Sequence, residues 1–464
     1  MAVSLLWYRQ DLRLRDHPAL CAAISDGAVL PIYILDDELP GDHRIGGAQR
    51  WWLHHSLKAF SADLSSLGAP LILRRGRAPD AVRALLAETG ATRIHVHRAY
   101  EPWWQRADAE IGAEAELVMH NRNHLANPRD ILNGSGERYR VFTPWFNRLV
   151  DQHMPPPLPL ARPQAIKVPK VIPRSDQLDD WDLLPTTPDW SRGFTGWRPG
   201  EKGARAALRS FLPQVTAYQE ERNYPARAGR DWPGVSRLSP HMHFGEISPA
   251  AVWHHAAREG AEQARSFLSE IAWREHGLNL IDQFPDYASR NGRTIFDRFP
   301  WRTGPEADAD FTAWTKGQTG YPAVDAGMRE LWQTGWMHNR LRMITASFLI
   351  KHLLIDWRRG EQWFWDTLLD ADLGANAMNW QYVAGSGVDA PVFSRMMAPF
   401  VQSPKFEMAG YIRRFVPELA HLRDDEIHAP HETGVTPPRY TLPIISHERA
   451  RARAMAAWEA VRSA

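Results

Sequence analysis

The stretch DADLGANAMNWQY, residues 370 to 382, sets two carboxylates two apart, follows them with Asn376 and Asn379, and places Trp380 and Tyr382 alongside. A carboxylate can hold a cation, a neutral carboxamide can exchange hydrogen bonds with a ring whose protonation changes on reduction, and an indole can pass an electron. The chain carries 21 tryptophans and a single cysteine, Cys21. One cysteine leaves no internal disulfide, no cysteine zinc site and no cysteine-ligated iron–sulfur cluster, so hard redox chemistry would need an organic cofactor or the aromatic side chains. No metal is expected.

Three further clusters carry chemistry. In SFLSEIAWREHG, 266–277, Glu270, Trp273 and Arg274 stand at i, i+3 and i+4 and share a helix face. A carboxylate, a flat ring and a guanidinium suit a planar polar ligand such as a nucleobase, and equally a helix with a salt bridge beside a half-buried tryptophan. In GVSRLSPHMHFGEISP, 234–249, Ser236, Arg237 and Ser239 precede Pro240 at a helix start. Free backbone N–H groups, two hydroxyls and an arginine would make a phosphate site there; plain capping by Ser239 is the other reading. In GWMHNRLRMITASFL, 335–349, Asn339 and Met343 face one way and Arg342 another, a pattern that by itself also fits a core methionine beside a solvated face.

Elements must position these groups. Up to about residue 130, β-rich runs at 3–8, 28–35, 70–74, 93–97 and 116–120 alternate with helical stretches such as 48–67 and 79–89, the mark of βαβ units and a parallel sheet. The first strand runs into Arg9-Gln10-Asp11 without a glycine, so this sheet is not expected to cradle a pyrophosphate. Residues 151–200 hold ten of the 35 prolines and read as an extended connector. Beyond 200 the pattern is helical. The expected division is 1–130, α/β; 131–200, connector; 201–464, all-helical.

The bulk properties agree. A length of 464 residues suggests two or three domains. No run of about 18 apolar residues occurs, and the N-terminus meets Arg9 and Asp11 too early for a secretory signal, so a soluble cytoplasmic protein without a membrane partner is expected. A net charge of +1 means that nucleic acid would have to meet a local basic patch.

Together with DLRLRDHPAL near the start, these pieces resemble the photolyase/cryptochrome family, and within it the class I photolyases for cyclobutane pyrimidine dimers. The likeness runs from WYRQDLRLRDHPAL through SRLSP, EIAWRE, TGYPAVDAGMRELWQTGWMHNRLRMITASFLIKHLLIDWRRGE and DADLGANAMNWQY to KFEMAGYIRRFVPEL. It implies a Rossmann-like α/β domain holding a light-harvesting antenna, a long linker, and an all-α domain binding FAD folded back on itself. By resemblance Tyr218, Val235, Ser236, Arg237, Leu238, Ser239, Phe267, Glu270, Arg274, Arg342, Asp370, Ala371, Asp372 and Asn376 would line the FAD, with Asn376 facing flavin N5. Trp380 would begin an electron relay to the surface through Trp357 and Trp314. Glu270, Trp273, Asn339 and Met343 would meet a dimer flipped out of UV-damaged DNA, with Arg222, Arg340, Tyr382, Gln402 and Lys405 on the DNA surface. Methenyltetrahydrofolate is the expected antenna, 8-hydroxydeazaflavin or none the alternatives, with Arg44, Arg50 and Glu101 as its pocket.

The resemblance also ranks activities. The positions matching Asn339 and Met343 would be histidines for (6-4) lesions, and the lone cysteine excludes the iron–sulfur branch. Repair of cyclobutane dimers leads, and a blue-light photoreceptor of cryptochrome type is the competitor, disfavoured because the chain stops about 50 residues after KFEMAGYIRRFVPEL. Tyr382, Phe267, Val235 and the segment DAPVFSRMMAP depart from the class I pattern. A monomer is expected.

Overall fold

The computed structural model describes residues 2–227 and 229–463. Its first part alternates strand and helix: β1 Val3–Tyr8, α1 Pro18–Asp26, β2 Ala28–Leu35, α2 Gly47–Ser65, β3 Ile72–Arg75, α3 Ala78–Thr89, β4 Arg93–His97, α4 Pro102–Gly112 and β5 Glu116–His120. The five strands are parallel in the order β3-β2-β1-β4-β5. Helices cover both faces, so the central strand is buried from Ser4 onward and mostly apolar: Leu5, Leu6, Trp7 and Tyr8 are all fully buried.

In such sheets the crevice where strand order reverses, between β1 and β4, is the usual nucleotide site. Here the chain plugs it. Asp11, just past β1, accepts hydrogen bonds from the Arg9 amide (2.7 Å), His17 Nε2 (3.1 Å) and His97 Nδ1 (2.7 Å), and all three side chains are buried. Burial works against the Asp11 charge, but the bonds from His17 and His97 outweigh it and hold the carboxyl well below its usual range. His17 Nδ1 accepts from the Leu20 amide at 3.0 Å, so Nε2 carries the proton that goes to Asp11. A metal at this trio would have to displace that proton and leave an imidazolate, which makes the group a structural plug.

Helix α5, Phe142–His153, falls within the span expected to be connector. Its Phe142, Trp145, Phe146 and Leu149 are buried at i, i+3, i+4 and i+7. From 154 to 177 no helix or strand forms, yet Ile166, Trp181, Phe194 and Trp197 of the connector are buried in the same cluster as Trp52 and Leu57 of α2. The connector is therefore packed along the α/β domain.

The rest is helical apart from the two-residue strands Ala226–Arg227 and Arg230–Asp231: α6 Glu201–Phe211, α7 Tyr218–Glu221, α8 Ser239–His243, α9 Pro249–Arg258, α10 Arg265–Gln283, α11 Pro305–Thr315, α12 Pro322–Thr334, α13 Asn339–Ser347, α14 Trp357–Thr367, α15 Leu373–Ala384, α16 Pro399–Lys405, α17 Ala409–Phe415 and α18 His447–Arg462. Helices α10 and α15 cross at Gly277 and Gly374. A Cβ on Gly277 would lie 2.8 Å from the Gly374 carbonyl carbon, and one on Gly374 2.5 Å from that of Gly277. Only a pair of glycines permits this approach, which brings the EIAWRE and DADLGAN motifs together.

Candidate functional site

Asp372 caps α15, accepting from the Ala375 amide at 2.9 Å. Asp370, in the loop before it, takes both contacts of Arg342 Nη2 at 2.8 and 3.0 Å, while Arg342 Nε donates to the Met337 carbonyl at 2.8 Å. One turn into α15, Asn376 Nδ2 meets the Glu361 carbonyl at 3.1 Å and Glu361 Oε1 at 2.8 Å. Both partners can only accept, so they take the NH₂ end of the carboxamide and leave its oxygen free. Asn376 shares a cavity of about 100 Å³ with Arg342, Asp370, Ala371, Asp372 and Trp380, and with Asn339, Met343 and Tyr382. Thirteen positions of sequence and a distant helix thus converge on one concave surface.

The other motifs resolve differently. Val235, Ser236 and Arg237 line a separate cavity of about 320 Å³ beside α6. The Arg237 guanidinium lies 3.9 Å from the Trp197 ring centroid, 4.8 Å from Trp232 and 5.7 Å from Trp336. Burial lowers its pKa to about 10. Indole rings thus surround the guanidinium, which shares this cavity with Ser236. Plain capping by Ser239 fails: Leu238 occupies that place without a side-chain bond, and Ser239 Oγ accepts from Trp336 Nε1 at 3.4 Å.

On α10, Glu270 pairs with Arg222, and Arg274 pairs with Glu275 at 2.8 Å. The salt bridge within the Glu270–Arg274 turn does not form. Tyr218 and buried Phe267 meet edge to face at 5.3 Å, and burial raises the Tyr218 hydroxyl. Trp273 lies against Phe142 of α5, rings 3.5 Å apart and 8° from parallel. That contact escaped the sequence, although the amphipathic spacing of FTPWFNRL was there to be read. Arg340 donates to Asn223 Oδ1 and sits 4.5 Å over the Phe406 ring, with Lys405 5.4 Å from the same ring and Gln402 one turn away.

Trp380, Trp357 and Trp314 are 2%, 0% and 0% exposed. A collision with the Trp380 indole is avoided only because α14 has Gly360, one turn beyond Trp357. Trp314, expected at the outer end of the relay, instead sits edge-on to Trp380 at 6.3 Å and donates Nε1 to the Thr345 carbonyl at 3.0 Å. It leads to no surface. Trp301 is half-buried, its ring 4.3 Å from that of Phe299, and its neighbour Arg302 donates its amide to the Leu354 carbonyl at 2.8 Å, three residues before Trp357.

The expected antenna residues do not share a pocket. Arg44 is exposed, Arg50 pairs with Asp37, and Glu101 is buried, its pKa raised by burial and by the Asp372 charge. A cavity of about 290 Å³ nearby is lined instead by His43, Trp103, Arg106, Arg358 and Glu361. The His43 and Trp103 rings are 13° from parallel with centroids 6.5 Å apart.

The fold thus defines an α/β part followed by a helical part, which gathers Arg342, Asp370, Asp372 and Asn376 around one cavity. The family model described as DNA photolyase matches residues 4–164, and that described as FAD binding domain of DNA photolyase matches 267–460. A deoxyribodipyrimidine photo-lyase of Agrobacterium fabrum is 45% identical over 99% of this chain and 98% of its own length. Cryptochrome-1 of Arabidopsis thaliana is 34% identical over 97% of this chain and 69% of its own. The crystal structure of a bacterial class III photolyase from Agrobacterium tumefaciens superposes with a TM-score of 0.92 at 44% identity, covering 100% of this chain and 98% of that one. The chain belongs to the DNA photolyase and cryptochrome family, and its helical part is an FAD-binding domain. The narrower placement in class I does not follow from these relatives, since the solved one is of class III. Among the described residues no helix is long and apolar enough to cross a membrane.

Proposed function

We propose that this protein repairs cyclobutane pyrimidine dimers in DNA by light-driven electron transfer. Bound FAD in its reduced form supplies, when excited, the electron that opens the cyclobutane ring and then takes it back. The observation that carries the reading is the arrangement of Asn376: its NH₂ is consumed by Glu361, and its free oxygen faces a cavity whose rim offers Asn339 and Met343. A carbonyl at that place accepts from a protonated flavin N5 and offers nothing to an unprotonated one, so it favours the reduced cofactor.

The chain's own groups then divide the work. Arg342, neutralised by Asp370, and the Asp372 cap hold the cofactor end of the cavity. Glu270, Trp273, Asn339 and Met343 receive the extruded dimer, and Arg222, Arg340, Tyr382, Gln402 and Lys405 face the DNA. Flipping costs a few kcal/mol, less for a dimer that already pairs badly. Trp380, Trp357 and Trp301 carry electrons inward from the surface. The slot between His43 and Trp103 takes a planar antenna, methenyltetrahydrofolate by preference over 8-hydroxydeazaflavin.

The test is direct. The prereduced protein is illuminated with blue light in the presence of dimer-containing oligothymidylate, and recovery of thymine absorbance is followed. Recovery under light and none in the dark is expected. Absence of recovery with flavin bound and reduced would leave a blue-light photoreceptor, the reading supported by the likeness to Cryptochrome-1.

A further inference from the structure

The stack beneath Trp273 goes beyond the lesion contacts above, although it rests on that reading of Trp273. Trp273 and Phe142 are the tightest ring pair in the neighbourhood, 3.5 Å between centroids and 8° between planes, and Phe146 continues the stack at 5.4 Å and 10°. His276 meets Phe142 edge-on at 5.8 Å. The rings come from two elements: Trp273 from α10, Phe142 and Phe146 from α5, which lies within the connector. The place of α5 is itself pinned, because the Phe142 amide, an unsatisfied donor at the helix start, donates to Asp389 Oδ2 at 2.9 Å. Asp389 belongs to DAPVFSRMMAP, one of the segments where this chain departs from the class I pattern. Phe142 is buried while Trp273 is only partly so, its indole backed by the Phe142 ring.

We infer that Phe142 is a positioning residue for lesion recognition: it fixes the plane of Trp273 so that the indole meets a flipped dimer without a search over ring orientations. A platform already held in its bound orientation loses less freedom on binding, and the saving appears only for a ligand that stacks on it. Undamaged duplex, which keeps its bases inside, does not use the platform. Phe142 therefore acts on discrimination between damaged and undamaged DNA and leaves flavin binding alone. A stacked aromatic pair is worth about 0.5–1.5 kcal/mol, so the expected loss is roughly two- to tenfold in affinity.

The experiment compares the wild-type holoprotein with Phe142→Leu, which keeps apolar bulk without the ring, Phe142→Tyr, which restores the ring, and Trp273→Ala. Dissociation constants are measured in the dark for the same oligonucleotide with and without one cyclobutane dimer, beside flavin absorbance and near-ultraviolet circular dichroism. Phe142→Leu should weaken binding of the damaged strand two- to tenfold, leave the undamaged strand and the flavin spectrum unchanged, and lose part of the tryptophan dichroism; Phe142→Tyr should recover both the affinity and the dichroism. If Trp273→Ala abolishes discrimination and Phe142→Leu retains it, or if Phe142→Leu weakens both strands equally, the positioning role is overturned while the repair reading stands. If the wild type itself does not prefer the damaged strand, the repair reading falls first.

Discussion

Asn376 shows how one side chain can be fixed by what its neighbours cannot do. Glu361 offers a carbonyl and a carboxylate, two acceptors, and so selects the orientation of the carboxamide. Replacing Glu361 by Ala removes the carboxylate contact, worth about 1.5–3 kcal/mol for a charged partner. The amide can then turn. Reduced flavin in Glu361→Ala should reoxidise in air about tenfold faster than in the wild type, followed by flavin absorbance; an unchanged rate would detach Glu361 from the cofactor. The relay is testable in the same way. Trp380→Phe should abolish photoreduction and spare repair by chemically reduced protein, Trp301→Phe should slow photoreduction at least tenfold, and Trp314→Phe should leave it within about twofold. A large effect at Trp314 would restore the sequence reading. That reading chose Trp314 because sequence shows which residues are oxidisable but not which are exposed, and burial is decided by α11 packing against α14 and α15.

At the scale of elements, legibility followed periodicity. Four of the five strands lie where the β-rich runs place them, at 3–8, 28–35, 93–97 and 116–120, because a short β-rich run marks a strand whether it is buried, as β1 and β2 are, or at the sheet edge, as β5 is. The third begins two residues late, at Ile72, after Pro70, which has no amide hydrogen to give a ladder. Helix α5 was hidden by its neighbours: prolines dominate the following segment, and Pro144 sits in its first turn, where it is in fact well tolerated. The glycine crossing of α10 and α15 was not legible either, since a glycine inside a helix announces only weakness until its partner is known. Its consequence can be measured. Gly374→Ala forces a methyl into backbone at 2.5 Å, an overpacking that costs about 1–3 kcal/mol, and spreads the two motifs that meet there. The variant should melt several degrees lower and lose flavin on gel filtration; full flavin content at an unchanged Tm would mean that the crossing does not shape the cavity.

For the whole molecule the near-neutral charge conceals a strong acid sensitivity. Five histidines, His97, His120, His243, His276 and His338, are held neutral chiefly by burial, with pKa values lowered to about 3, 4, 4, 4 and 3. They sit at joints: His97 in the plug beyond β1, His243 on Gln49 of α2 at 3.1 Å, His276 beneath Trp145, and His338 capping α13. Each folded pKa lies below the unfolded value near 6.5, so on acidification the unfolded chain takes up protons first. Stability from these groups is therefore complete above pH 6.5 and is lost as pH falls toward the folded values. Each contributes about 1.4 kcal/mol per pH unit in that window, so even two of them remove about 4 kcal/mol between pH 6.5 and 5, a large part of the 5–15 kcal/mol that holds a typical protein folded. Glu330, whose pKa burial raises to about 7, opposes this, as do Glu101 and Asp325, which burial also raises, since their protonated forms suit the folded state, but the histidines are more numerous. The urea midpoint should accordingly fall steeply from pH 7 to pH 5, with flavin release following the same curve. His243→Gln should flatten it, because glutamine can still bond Gln49 without taking a proton. A midpoint that holds steady or rises over that interval would show that Glu330 and the carboxylates, not the buried imidazoles, govern how this fold responds to acid.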